Sequence, residues 1–139
     1  MTAIRTSGTD VPSYTETWPC ERESASKARR LVSHALSFWG LDGPERSEDV
    51  LLIASELVSN AITHSGHRSF RIRITRLDEK VIKVSVSDAS RQVPLLRAVS
   101  TDCECGRGLR LINALSASWG YDRKHWGKTV WAECKVPAG

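Results

Sequence analysis

No stretch of the 139-residue chain approaches the roughly 18 consecutive apolar residues that a membrane-crossing helix needs, so no span is predicted. Residues 1–12 are polar and hold no apolar signal segment, which makes export an unexpected fate and the cytoplasm the expected location. Cysteine is sparse and badly spaced for a metal. Cys20, Cys103, Cys105 and Cys134 contain no Cys-x-x-Cys pair and follow no zinc-ligand pattern. Cys103 and Cys105 read either as a metal- or redox-responsive pair or as two free thiols, the latter being the reading for a reducing compartment. No block of one charge stands out. The net charge is +4, but the basic residues are spread along the chain, and residues 21–30 mix Glu21 and Glu23 with Arg22, Lys27, Arg29 and Arg30. Direct nucleic-acid binding is therefore not expected, whereas an anionic small ligand or an acidic protein partner suits the charge. A Walker A loop, a three-glycine dinucleotide loop and internal repeats are all missing.

What is present is a set of clear periodicities. Ala28, Leu31, Val32, Ala35, Leu36 and Trp39 recur at helical spacing and predict a helix over residues 22–39, ended by Gly40. Asp42, Gly43 and Pro44 open a second helix, with Pro44 in the first turn where its missing N–H costs nothing, running to about His64. Residues 69–76 alternate Phe70, Ile72 and Ile74 against Arg71, Arg73 and Thr75. Residues 81–87 alternate Ile82, Val84 and Val86 against Lys83, Ser85 and Ser87. Both read as half-buried strands, joined by a turn over 77–80. Residues 89–105 have weak periodicity and read as a long loop, in a small domain a lid. Gly106, Arg107 and Gly108 then open a third helix through Leu109, Leu111, Ile112 and Leu115. Residues 117–121 and 128–136 form a closing hairpin that turns near 125–127, and residues 13–18 form a short edge strand. The expectation is a flexible N-terminal arm at 1–12 and one domain at 13–139. Its fold class is α+β: a two-layer α/β sandwich with a mixed, mostly antiparallel sheet and about three helices on one face.

Four segments carry chemistry. Glu56, Asn60 and His64 are four residues apart and so share one stripe of the second helix. A carboxylate and an amide on a half-buried helix need partners, or a ligand-filled cleft. Their hard oxygen donors suit Mg²⁺, which takes few protein ligands and completes its shell with phosphates. Glu56 can also accept a proton from an attacking hydroxyl; a solvated polar face is the plain alternative. Asp88, with Ala89 and Ser90, ends a strand and either accepts a hydrogen bond from an exocyclic amine or merely caps the turn. Gly106, Arg107, Gly108 and Leu109 start a helix after a loop, where bare backbone and free N–H groups draw a phosphate, or where two glycines simply hinge. Thr129, following Gly127 and Lys128, offers a hydroxyl for the same base as Asp88, or an ordinary cross-strand contact.

In this order and spacing the four segments resemble the nucleotide-binding signature of the GHKL ATPase and kinase superfamily. They are most similar to its anti-sigma-factor serine kinases and their stand-alone actinobacterial relatives. The resemblance covers about residues 14–136: Ser55 to His64, Val86 to Ser90, Gly106 to Ile112, and Ser118-Trp119-Gly120 with Gly127 to Glu133. It implies a Bergerat-type sandwich that binds ATP and Mg²⁺ between helices and sheet. It further implies Asn60 as the Mg²⁺ ligand, Glu56 as general base, Asp88 on the adenine amine with Thr129 in support, and Gly106, Arg107, Gly108 and Leu109 at the phosphates beneath a lid over 93–105. The implied function is an anti-sigma factor that phosphorylates a serine or threonine of a STAS-domain anti-anti-sigma protein. The alternative is an ATP-responsive protein-binding regulator that transfers no phosphate. The partners implied are a sigma factor and that STAS protein, with homodimerisation through a sheet edge or the first helix. The adenine-side segment departs from the usual pattern in carrying Ser90 and Gln92 where glycines are common. No segment resembles a histidine-phosphotransfer helix pair, so a complete histidine kinase is not expected.

Overall fold

The computed structural model describes residues 2–5, 11–64, 68–90 and 104–137 of the chain. The elements run β1 (Thr2–Arg5), β2 (Pro12–Pro19), α1 (Arg22–Phe38), α2 (Pro44–His64), β3 (Ser69–Asp78), β4 (Val81–Asp88), α3 (Glu104–Leu115), β5 (Ser118–Lys124) and β6 (Gly127–Lys135).

The helices form where the apolar spacing places them. Ala28, Leu31, Val32, Ala35 and Leu36 are all buried along one side of α1. The helix ends in a Schellman arrangement: the Gly40 N–H donates to Ser37 O (3.0 Å) and the Leu41 N–H to Leu36 O (2.8 Å). Gly40 has φ +72°, the left-handed conformation that this stop demands. Pro44 begins α2, and the Ser47 hydroxyl donates back to Gly43 O at 2.7 Å. Val50, Ile53, Ala54, Leu57, Val58 and Ala61 then give α2 a continuous buried face.

The strands form one sheet in the order β1-β2-β3-β4-β6-β5, with α2 packed against β3, β4 and β6, α1 against α2, β2 and β3, and α3 against α2 and β5. Ile82, Val84 and Val86 of β4 are buried and alternate with the half-buried Lys83, Ser85 and Ser87, so pleat parity separates the helix side from the open side. Phe70, Ile72 and Ile74 of β3 and Val130, Ala132 and Cys134 of β6 join the same core.

Four expectations need correcting. Within the arm expected over residues 1–12, Thr2–Arg5 form β1, paired antiparallel with β2. Residues 13–18, expected at a sheet edge, consequently lie one strand in from it. The mixed sheet gives way to antiparallel pairing at every described strand contact. The reason is where α3 returns the chain: β5 runs in the direction of β4, but β6 folds back between them and takes the hydrogen bonds of both. Residues 93–103 of the expected lid lie outside the described residues. The helix after it starts at Glu104, so Cys105, expected to end the loop, is helical.

Candidate functional site

The end of the sheet where β4 finishes and β6 begins is unusually polar for a core-facing surface. Asp88 pairs with Phe70 of β3 on one side and with Lys128 of β6 on the other. Being in phase with Ile82, Val84 and Val86, Asp88 faces the helices. Lys128, in phase with Val130, Ala132 and Cys134, faces them too. Both are buried, and Lys128 Nζ lies 3.1 Å from Asp88 Oδ1. The Ser90 N–H donates to the same oxygen at 2.8 Å. Gly127 makes this approach possible: a Cβ there would collide with the Asp88 carbonyl oxygen and lie 2.8 Å from Ala89 Cα. The fixed pair is the local consequence of one residue without a side chain.

The second wall is α2. Glu56 and Asn60 sit half-buried on the flank of its apolar face, one turn apart, with Ser59 and Thr63 on the outward side. Among the described residues neither Glu56 nor Asn60 has a hydrogen-bond partner for its side chain. His64 is the last residue of α2, and its side chain lies outside the described part. Because only residues 65–68 separate α2 from β3, and Phe70 of β3 pairs with Asp88, the C-terminal turns of α2 belong to the same end of the sheet as the Asp88–Lys128 pair.

The third wall follows from connectivity. α3 ends at Leu115, and the Ala117 N–H donates to Glu133 O at 2.7 Å, near the opposite end of β6. With 12 residues, α3 runs back from there over about 18 Å, which turns its N-terminus toward the Asp88 end. Gly106 and Arg107 fall within its first four residues, whose N–H groups lack an intrahelical acceptor. Gly108 and Leu109 lie deeper in the helix than the opening position expected for them. The side chains of residues 104–109 lie outside the described part.

Thr129 does not join this group. One residue along a strand is one face of the sheet, so Thr129 points to the open side, with Trp131 and Glu133, and its hydroxyl is 2.8 Å from that of Ser87. Lys128 takes the place on the helix side that was expected of Thr129. The signal was in the sequence: a lysine in phase with Val130, Ala132 and Cys134 is a charge in a core pattern. Tyr121 and Arg123 of β5, opposite Val130 and Lys128, share this phase and extend the polar end toward the sheet edge.

With this geometry in view, comparison decides the family. The sequence profile described as histidine kinase-like ATPase domain matches residues 18–134. The chain belongs to that family. The histidine kinase-like ATPase domain therefore accounts for the order of the four segments and for the helix-over-sheet arrangement, in agreement with the GHKL resemblance. Its fold is similar to the crystal structure of the RsbU and RsbW domains of Rv1364c from Mycobacterium tuberculosis, with a TM-score of 0.69 at 18% identity, over 90% of this chain and 32% of that one. It is also similar to the histidine kinase domain of the blue-light activated histidine kinase from Erythrobacter litoralis EL346, with a TM-score of 0.52 at 20% identity, over 85% of this chain and 61% of that one. The chain thus spans less than two thirds of either structure, and at such identities the likeness is one of fold. No curated protein sequence matches it.

The donor set bears on the metal such a domain would use. Among the described residues no cluster of three or more His, Cys, Asp or Glu is placed to hold a metal ion. A divalent cation here would take one or two ligands from α2 and the rest from phosphate and water, which is the habit of Mg²⁺. Asn60, half-buried and with a carbonyl oxygen to offer, fits that role. Among the described helices none is long and apolar enough to cross a membrane.

Proposed function

We propose that this domain binds ATP with Mg²⁺ and acts as an anti-sigma factor and protein serine/threonine kinase whose substrate is a STAS-domain anti-anti-sigma protein. The observation that carries the reading is the pair Glu56 and Asn60. A carboxylate and an amide stand one turn apart, half-buried and without partners among the described residues, at the end of the sheet that bears Asp88. Nucleotide binding needs Asn60 and Asp88. Glu56 is superfluous to mere binding, and its place beside Asn60 fits a base that takes the proton of an incoming hydroxyl. The fold likeness to a structure that contains an RsbW domain supports the same assignment.

In this reading Asn60 holds Mg²⁺, which offsets phosphate charge when bound. Asp88 accepts a hydrogen bond from the base. The first amides of α3, those of Gly106 and Arg107 among them, meet the phosphates, with Gly108 and Leu109 behind them. Sequestration of a sigma factor and phosphorylation of its antagonist are two uses of one surface, so transfer of the phosphoryl group would switch the partner.

The test is radiolabelled ATP with a candidate STAS protein and the wild-type domain. Label on a serine or threonine of the STAS protein is the expected result. A domain that demonstrably binds both ATP and the STAS protein but transfers no label is instead an ATP-responsive binding regulator.

A further inference from the structure

The buried Lys128–Asp88 pair is not required by the reading above, and its details point to what the site can accept. Both bonds received by the carboxylate, from Lys128 Nζ at 3.1 Å and from the Ser90 N–H at 2.8 Å, fall on Oδ1. Among the described residues Oδ2 receives none. The carboxylate is thereby held in one orientation with its second oxygen available. Lys128 in turn carries three donors and, among the described residues, places only one, on Asp88. A buried ammonium with donors to spare is costly unless an acceptor comes to it. The site therefore presents an acceptor and a donor side by side.

A carboxylate alone distinguishes the purines. It accepts from the amine of adenine, and it repels the carbonyl oxygen that guanine carries at the same position. An ammonium beside it removes that distinction. Adenine can give its amine proton to Oδ2 while a ring nitrogen accepts from Nζ. Guanine can give its ring N–H to Oδ2 while its carbonyl oxygen accepts from Nζ. Each base offers a donor next to an acceptor, and each leaves neither protein group unpaired. Resting on the nucleotide-site reading, we propose that Lys128 is a specificity-determining residue that opens this site to both purines, so that GTP binds alongside ATP.

Titration calorimetry of the full chain with Mg-ATP and Mg-GTP tests this. The expected result for the wild type is a GTP affinity within about tenfold of that for ATP, less than the loss of one charged hydrogen bond would give. Lys128→Met keeps the length of the side chain and removes the donors. It should weaken both nucleotides, since each loses a bond from Nζ, but GTP by roughly tenfold to a hundredfold more than ATP, because guanine then also sets its carbonyl oxygen against an uncompensated carboxylate. Lys128→Gln, which restores an N–H donor, should recover part of the GTP affinity. A wild type that binds ATP but binds GTP more than about tenfold less tightly overturns the proposal, since it shows discrimination of the order of a charged bond. Equal weakening of both nucleotides by Lys128→Met overturns it as well, since that is what a purely structural pair would give. Should Lys128→Met fail to fold, the wild-type ratio decides by itself. Failure of both nucleotides to bind the wild type sinks the nucleotide-site reading and the proposal with it.

Discussion

Asn60 is the residue on which the nucleotide reading stands most directly. Asn is a poor choice for the middle of a helix, and this one has no partner among the described residues to justify it. Asn60→Ala should therefore leave folding intact and abolish calorimetric Mg-ATP binding; an unchanged affinity would remove Asn60 from the site. Glu56→Ala separates binding from transfer. ATP affinity should persist while phosphorylation of a STAS protein stops, and full phosphorylation by that variant would exclude the base role. The Lys128–Asp88 pair makes a stability prediction that is independent of any ligand. Lys128→Met leaves a buried carboxylate without its counter-charge, a loss of about 3 kcal/mol, whereas Asp88→Asn combined with Lys128→Met should cost less than Lys128→Met alone. Urea unfolding of the two variants gives the comparison. A double variant less stable than the single would mean that the carboxylate is solvated rather than desolvated.

At the level of elements, two glycines illustrate different constraints. A Cβ at Gly40 meets nothing within 4 Å, so Gly40→Ala costs only the left-handed backbone at the end of α1, about 1 kcal/mol. Gly127→Ala meets the Asp88 backbone, so β6 must shift away from β4. Thermal melts should rank Gly127→Ala well below Gly40→Ala in stability, and equal melting points would show that the strand end yields freely. The stop at Gly40 was legible in the sequence because a helical period ends directly before it. The same holds for α2, β3 and β4, whose apolar spacing has a single solution. β1 was not legible: Thr2–Arg5 is too short to display a period, and its support among the described residues is pairing with a strand some ten residues away. The antiparallel pairing of β5 with β6 was legible as the closing hairpin, whereas the strand order was hidden, because no local pattern in the chain records that β6 lies between β4 and β5. Lys128 was legible but obscured. Its phase with Val130 placed it inside, while similarity to a motif drew attention to Thr129, one residue and one face away.

Across the whole molecule, one sheet carries polar chemistry at one end and an ordinary core at the other. Six residue steps along β6 take the strand from Lys128 to Cys134, roughly 20 Å. Cys134 pairs with Ile82 and is buried. Burial first, and then the charges of Asp49 and Glu133, push its thiol up from 9.0 to about 12. In the folded chain the thiol stays protonated across that interval, whereas in the unfolded chain it ionises near 9.0. Folding thus takes up a proton between these limits. The stabilisation is whole below about pH 9, falls as pH rises, by as much as about 1.4 kcal/mol per unit, and is gone above about pH 12. Cys134→Ala loses some packing at neutral pH but also loses this term. Urea midpoints measured at pH 7, 9, 10 and 11 should therefore fall more steeply for the wild type than for Cys134→Ala once pH passes 9. Parallel curves would mean that the far end of the sheet admits water. Because the thiol is remote from Lys128, the same titration repeated with Mg-ATP should move all wild-type midpoints upward by a similar amount while keeping their pH slope, which ties ligand binding at one end to the stability of the sheet as a unit.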